Sequence, residues 1–349
     1  MKTELLKITG NPVDDERVIA SAAEIIKNGG LVAIPTETVY GLAGSALIAE
    51  SAKKIFSAKG RPSDNPLIVH IAYPEDAEKI AHTNDLYYKL AEQFMPGPLT
   101  IILPKKENIP DSVTGGLDSV AVRCPANHVA HRLIEVSGHP IAAPSANRSG
   151  IPSPTCAAHV VADMDGRIDM IIDGGECEIG LESTVIKLDP DGCTILRPGA
   201  VTEDMLSTVC REVRISKAVI EPQIAADIKA ESPGMKYKHY APSAEVILIE
   251  ASDESFIKYV HTHAEGNYGV LVPNELAENF PTAKHLLTGE RADAREASKR
   301  LFSLLREADI LKLSTVFALC PPKSGEHLAF YNRIIRAAGC KLLKLSDNI

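Results

Sequence analysis

The stretch LVAIPTETVYG, residues 31–41, sets the reading of the first half of the chain. Leu31 to Pro35 is a short apolar run with strand character, and Thr36 to Gly41 is a polar turn that follows it directly. Ahead of it, Val18, Ile19, Ala22, Ala23, Ile25 and Ile26 recur at helical spacing between Asp14 and Asn28, and Gly29-Gly30 supplies a C-terminal stop. Behind it, short apolar runs return at residues 66–71, 99–104, 120–124, 141–143, 170–172 and 184–188, several of them separated by helical stretches. Strands interleaved with helices predict a mixed α/β sheet.

Residues 211–243 break this pattern, with little periodicity, internal prolines and an aromatic, basic finish in SPGMKYKHYAP at residues 232–242. The segment reads as a long linker, and loops of that length are commonly functional or disordered, so it can cross a site as well as connect domains. Past it, EVILIE (245–250), YGVLVP (268–273) and TVFALC (315–320) alternate with helical stretches, including residues 291–306. In a last helix Tyr331, Ile334, Ile335 and Ala338 share a face. That alternation predicts a small doubly wound α/β domain.

A length of 349 residues fits two domains better than one core, and 45% hydrophobic with 24% charged residues is a globular mixture. The net charge of −9 disfavours a protein that coats nucleic acid, because such binding needs many cations on phosphates. Seven cysteines are scattered singly with no CxxC pair, which excludes a disulfide framework and a zinc knuckle and leaves reduced, mostly buried thiols. The N-terminus MKTELLKITGNPVDDE lacks a signal-peptide run, and no stretch approaches the ~20 apolar residues of a membrane span, so a cytoplasmic protein without membrane contact is expected.

Several clusters can carry chemistry. In SAKGRPSDNP, residues 57–66, Lys59 and Arg61 stand one residue apart, with glycine and proline fixing the backbone; they can hold a polyphosphate from two directions, or form a solvated helix end stabilised by the dipole. In APSANRSG, residues 143–150, small hydroxyl and amide side chains at a strand's C-terminal end suit close approach to a ligand, or make an ordinary turn. GLESTV (180–185) and LRPG (196–199) bring Ser183 and a third cation, Arg197, which read as ligand contacts or as a hairpin with surface charge. Arg123 differs, because it lies inside the apolar run VAVRCP, where an unpaired guanidinium is costly to bury; a carboxylate partner is expected. The P-loop, GxGxxG and GxSxG patterns are absent, and the pairs His128/His131 and His261/His263 lack a third ligand, so they read as surface histidines.

Taken in order, PTETVYGL (35–42), SAKGRPSDNPLIVHI (57–71), PGPLT (96–100), VAVRCP (120–125), APSANRSG, GLESTV and LRPG resemble the YrdC-like domain of threonylcarbamoyl-AMP synthases. SPGMKYKHYAP and the terminal α/β region are similar to the longer, two-domain form of that family. Lys59-x-Arg61 and Ser145-x-Asn147 match its KxR and SxN signature. The resemblance implies a YrdC-like twisted mixed sheet with helices as catalytic domain over residues 9–208, a linker and active-site lid over 209–243, and a C-terminal Rossmann-like α/β domain over 244–349.

The same resemblance implies formation of threonylcarbamoyl-AMP and pyrophosphate from L-threonine, bicarbonate or CO2, and ATP with Mg2+, for threonylcarbamoyladenosine modification of tRNA beside the anticodon. It assigns Lys59, Arg61 and Arg197 to the phosphates, with Asn65, Ser119, Ser145, Asn147 and Ser153 as further nucleotide contacts and Tyr237 over the nucleotide; His239 and Tyr240 are its neighbours. For threonine it assigns Arg123 to the carboxylate, and Thr36, Thr38, His70, Ala143 and Ser183 to the remaining groups. A downstream threonylcarbamoyl transferase complex would take the product, and a transient tRNA contact is left open. Two rivals stand beside this reading: a carbamoyl or acyl transferase acting on another acceptor, and a non-catalytic RNA-binding module built on Arg333, Arg336, Lys341 and Lys344.

Overall fold

The helix expected before residue 31 runs Pro12–Lys27, capped by the Asn11 side chain, which accepts from Val13 N and Asp14 N. It buries Ile19, Ala22, Ala23 and Ile26, the stripe that its spacing marked. A computed structural model describes residues 2–220 and 240–345, which divide into two units. The first holds residues 2–149 and 153–216; the second holds 150–152, 217–220 and 240–345.

In the first unit the strands are β1 (Glu4–Lys7), β2 (Val32–Ile34), β3 (Gly41–Ser45), β4 (Ile68–His70), β5 (Leu99–Pro104), β6 (Ser119–Arg123), β7 (Ile141–Ala142), β8 (Met170–Asp173), β9 (Thr184–Asp189), β10 (Gly192–Arg197) and β11 (Glu212–Ile215). They form one mixed sheet in the order β1-β8-β2-β3-β7-β4-β6-β5-β9-β10-β11. Leu31 and Ala33 enter one apolar cluster while Val32 and Ile34 enter another. Both faces of β2 are therefore covered, which is why its sequence is apolar without alternation.

The sequence reading missed β3, whose GLAGS has little strand propensity. The small residues are needed there: a Cβ on Gly44 would stand 3.1 Å from Leu31 and 3.2 Å from Ile55 side-chain carbons. The expected linker from 209 is also corrected. Glu212–Ile215 pairs in parallel with β10 and extends the first sheet, and a short helix, Lys217–Ile220, follows it. Four residues alternating charged and half-buried, EVRI, are too short a run to announce a strand. Residues 221–239 of that segment, with Tyr237, His239 and most of the proposed lid, lie outside the described residues.

The second unit is an all-parallel sheet of β12 (Glu245–Glu250), β13 (Tyr268–Val272), β14 (Lys284–Leu287), β15 (Thr315–Leu319) and β16 (Leu342–Lys344), in the order β14-β13-β15-β12-β16. Helices Asp253–His263, Ala294–Ile310 and Leu328–Ala337 belong to it. Every residue of Leu328–Ala337 is buried, so the helix is not the one-faced amphipath expected. That burial also removes the two arginines from the basic surface of the RNA-binding rival, whose Lys341 and Lys344 stay exposed. Arg333 is 0% exposed, its guanidinium 5.9 Å from the Tyr240 ring centroid, and Arg336 donates to Ala218 O at 3.4 Å. Tyr240 itself packs on Phe302, ring centroids 5.1 Å apart. Among the described residues no helix is long and apolar enough to cross a membrane.

Candidate active site

Arg123 ends β6 and is 4% exposed, so its charge must be met inside the protein. The β2–β3 turn supplies the partners. Nη2 lies 2.7 Å from Glu37 Oε1, Nη1 donates to Thr38 Oγ1 at 2.9 Å, and Nε donates to Gly97 O at 3.2 Å. Thr36 Oγ1 shares a 2.8 Å hydrogen bond with Thr38 Oγ1 and donates to Val39 O at 2.6 Å, which fixes the turn. Burial pushes the Glu37 carboxyl upward, and the Arg123 charge outweighs it, holding Glu37 below its ordinary value. The carboxylate expected from the sequence is thus Glu37, inside TETVYG, a residue that no motif had singled out for this role.

Strand register extends the cluster sideways: His70 of β4 pairs with Arg123, Arg123 with Thr100 of β5, Thr100 with Val185 of β9, and Val185 with Arg197 of β10. Ser183, just ahead of β9, shares a 2.7 Å hydrogen bond with Thr100 and accepts from Arg197 Nη2 at 3.0 Å. Burial, with Arg123 adding to it, pushes the His70 imidazole down to about 3, so the ring is neutral at physiological pH. Ala143 follows β7 and donates its N–H to Ile68 O at 3.0 Å, which brings it beside β4.

The KxR and SxN motifs form one construction. Lys59 ends the helix Ala49–Lys59, Gly60 turns the chain at φ 61°, and Lys59 Nζ donates to Ser145 O at 2.5 Å and Asn147 O at 2.7 Å. Ser145 Oγ donates to Asn147 Oδ1 at 2.6 Å. Lys59 was expected on the phosphates, yet its ammonium is committed to these carbonyls, so it offers a ligand positive charge more than free donors. Burial and the neighbouring Arg61 push Lys59 well below its ordinary value. An anion arriving beside the two cations would relieve that conflict.

Asn65 is fully buried, and among the described residues neither its Oδ1 nor its Nδ2 has a hydrogen-bond partner. Ser119, at the start of β6, lines a cavity of ≈530 Å³ with Thr83, Asn84, Asp118 and Lys187. The register Ile68↔Ala121, carried back two residues, sets it beside Pro66 and away from Arg123. The strands β4 and β6 thus carry Asn65 and Ser119 toward one end, His70 and Arg123 toward the other. Ser153 donates to Glu182 Oε1 at 2.6 Å, which gives another carboxylate not expected from sequence a defined partner.

Buried polar atoms without an aligned hydrogen bond lie at both ends of these strands: both Glu37 oxygens, His70 Nδ1 and Arg123 Nη2 at one, where the 2.7 Å ion pair still joins Glu37 to Arg123, and both amide atoms of Asn65 at the other. Native interiors rarely leave such groups unmet, so both ends suit a polar ligand.

A family model described as "Telomere recombination" matches residues 24–199, and one described as "Threonylcarbamoyl-AMP synthase, C-terminal domain" matches residues 201–339. The threonylcarbamoyl-AMP synthase of Pyrococcus abyssi is 44% identical over 338 residues, 95% of this chain and 97% of that one. The chain belongs to the threonylcarbamoyl-AMP synthases. The Bacillus subtilis member is 40% identical over 350 residues, covering 99% of this chain and all of its own length (100%). The crystal structure of P. abyssi Sua5 complexed with L-threonine superposes with a TM-score of 0.88 at 41% identity, covering 99% of this chain and 100% of that one. Family membership makes the chain an enzyme of nucleotidyltransferase type, and the two-domain form read from its motifs is the form these full-length relatives share.

Proposed function

We propose that the chain joins L-threonine, bicarbonate or CO2, and ATP into threonylcarbamoyl-AMP and pyrophosphate. The activated group then passes, through a downstream threonylcarbamoyl transferase complex, to the adenosine beside the anticodon of certain tRNAs. The observation that carries this reading is the buried polar cluster of Glu37, Thr38, His70 and Arg123 on the β2–β3 turn and the ends of β4 and β6, inside a chain that matches the family along nearly its whole length. The L-threonine bound by the Pyrococcus abyssi protein supports threonine as a substrate; for its carboxylate the reading takes the buried Arg123, with Thr36, Thr38, His70, Ala143 and Ser183 around the amine, hydroxyl and methyl. Lys59, Arg61 and Arg197 supply charge for the phosphates. Asn65, Ser119, Ser145, Asn147, Ser153 and Tyr237 complete the nucleotide contacts.

The chemistry needs no protein nucleophile. Threonine's neutral amine attacks CO2, forming the N–C bond and releasing a proton. A carbamate oxygen then attacks the α-phosphorus while the bond to the bridging β-phosphate oxygen breaks and pyrophosphate departs. What the protein contributes is alignment, positive charge and a dry pocket. Mg2+ would enter with ATP and share the charge of its phosphates with Lys59, Arg61 and Arg197.

The test is pyrophosphate release by the purified protein. Release should require threonine and bicarbonate together and fall when serine or alanine replaces threonine. Equal turnover without bicarbonate, or indifference to the amino acid, would discard the proposal in favour of transfer to another acceptor.

A further inference from the structure

The second unit holds a crevice that the chemistry above leaves unused. With strand order β14-β13-β15-β12-β16, the chain leaves β13 toward β14 on one side and leaves β15 toward β16 on the other. β13 and β15 are parallel neighbours, so the crevice beyond their C-terminal ends is the switch point where open parallel sheets receive ligands. A cavity of ≈120 Å³ lies there, walled by Leu271 at the end of β13, Leu319 of β15, Ala297 of helix Ala294–Ile310 and Phe330 of helix Leu328–Ala337. Its polar groups are Thr288, Glu290, Arg291 and His327.

The rim is built in advance. Thr288 N donates to Val272 O at 3.0 Å, and Asn274 N donates to Gly289 O at 2.8 Å. Gly289 turns at φ +100°, a conformation that favours glycine. Arg291 N donates to Glu275 Oε1 at 2.9 Å, and Arg291 Nη2 reaches both Asp253 oxygens at 2.8 Å, leaving Nη1 and Nε for another acceptor. Thr288 is 6% exposed, so its hydroxyl lies at the buried side of the cavity's lining.

Size and chemistry narrow the occupant. The volume, ≈120 Å³, is near the ~150 Å³ of a cavity that accepts benzene and far below the ~300 Å³ at which pockets for larger ligands begin. A nucleotide is too large. The walls are apolar, while the rim carries both signs of charge: Glu290 for an ammonium, Arg291 for a carboxylate. We infer that this crevice binds a free α-amino acid with an apolar side chain, at a site distinct from the first unit's.

Calorimetry and ligand-observed NMR on the full chain test this with leucine, valine and methionine as probes, which lack threonine's hydroxyl, and with adenosine and inorganic phosphate as counter-probes. At least one amino acid should bind saturably at millimolar concentration. Ala297→Leu, which fills the cavity, should weaken it about tenfold, and the near-isosteric Thr288→Val roughly threefold to tenfold, both with threonine binding unchanged. No binding by any of the amino acids, equal binding to both variants, or occupation by adenosine or phosphate instead would each overturn the inference. Thr288→Val keeps the test decisive if Ala297→Leu fails to fold.

Discussion

Arg123 in the first unit and Arg333 in the second are both buried, 4% and 0% exposed, yet their surroundings are finished to different degrees. Arg333 donates to Asn332 Oδ1 at 3.1 Å and lies by the Tyr240 ring, within a helix whose other cation, Arg336, ends on the main-chain carbonyl of Ala218. Arg123 sits 2.7 Å from Glu37, but Nη2 and both carboxylate oxygens lack an aligned hydrogen bond, and His70 Nδ1 nearby is unmet as well. Desolvating a polar group without completing its bonds costs ~1–3 kcal/mol, more for a charged one. The surroundings of Arg333 have removed that cost and those of Arg123 have kept it. Burial of charge alone therefore does not separate the two arginines; the completeness of the hydrogen bonding around them does.

The comparison breaks most visibly at Arg123. Arg123→Ala strands Glu37 in the interior, so we expect a stability loss of ~3–5 kcal/mol and loss of threonine-dependent pyrophosphate release. Arg123→Lys separates the two effects: it keeps the charge, so chemical denaturation should show most of the stability returning, while threonine affinity stays ~10–100-fold down because the planar fork is gone. Full affinity in the lysine variant would mean that Arg123 only neutralises Glu37. The second arginine should answer differently. Arg333→Ala removes a large, fully buried side chain and should cost ~3 kcal/mol through the cavity it leaves. Turnover per folded molecule should not change; a fall in turnover at temperatures where the variant is fully folded would remove the contrast between the units.

The parts that sequence made legible are those governed by periodicity and by local chemistry. Leu99–Pro104 and Glu245–Glu250 are strands with the bounds their apolar runs predicted, since β-branched and aliphatic runs of six residues have little alternative. Arg123 was legible as a problem, a cation inside an apolar run, but its solution was not, because Glu37 meets it through sheet topology rather than through spacing. The same holds for the Lys59 brace, which depends on Ser145 and Asn147 carbonyls that every sequence possesses. β3 and β11 were hidden for opposite reasons, the one too small in its side chains and the other too short. Arg333 and Arg336 misled because charge spacing on a helix reads as a solvated face until the helix is known to be covered on all sides.

Asn65 gives the smallest expected effect and the sharpest contrast, because its sign is reversed. A buried amide with both polar atoms unmet is a standing cost to the ligand-free protein, and replacing such a group with an apolar side chain of similar size removes the cost instead of adding to it. Asn65→Leu should therefore raise the stability of the ligand-free chain by ~1–2 kcal/mol, the opposite direction from any core truncation. The nucleotide should suffer in return. If Asn65 waits for ATP, affinity measured by calorimetry should drop about tenfold, and the extra thermal stabilisation that ATP gives the wild type should shrink correspondingly. Asn65→Ala supplies the control, since it removes the amide without filling its space and should lose affinity with little gain in stability. A Leu variant that is less stable than wild type while binding ATP normally would make Asn65 a structural plug, and the unmet groups of the first unit would then have to be explained by Glu37, His70 and Arg123 alone.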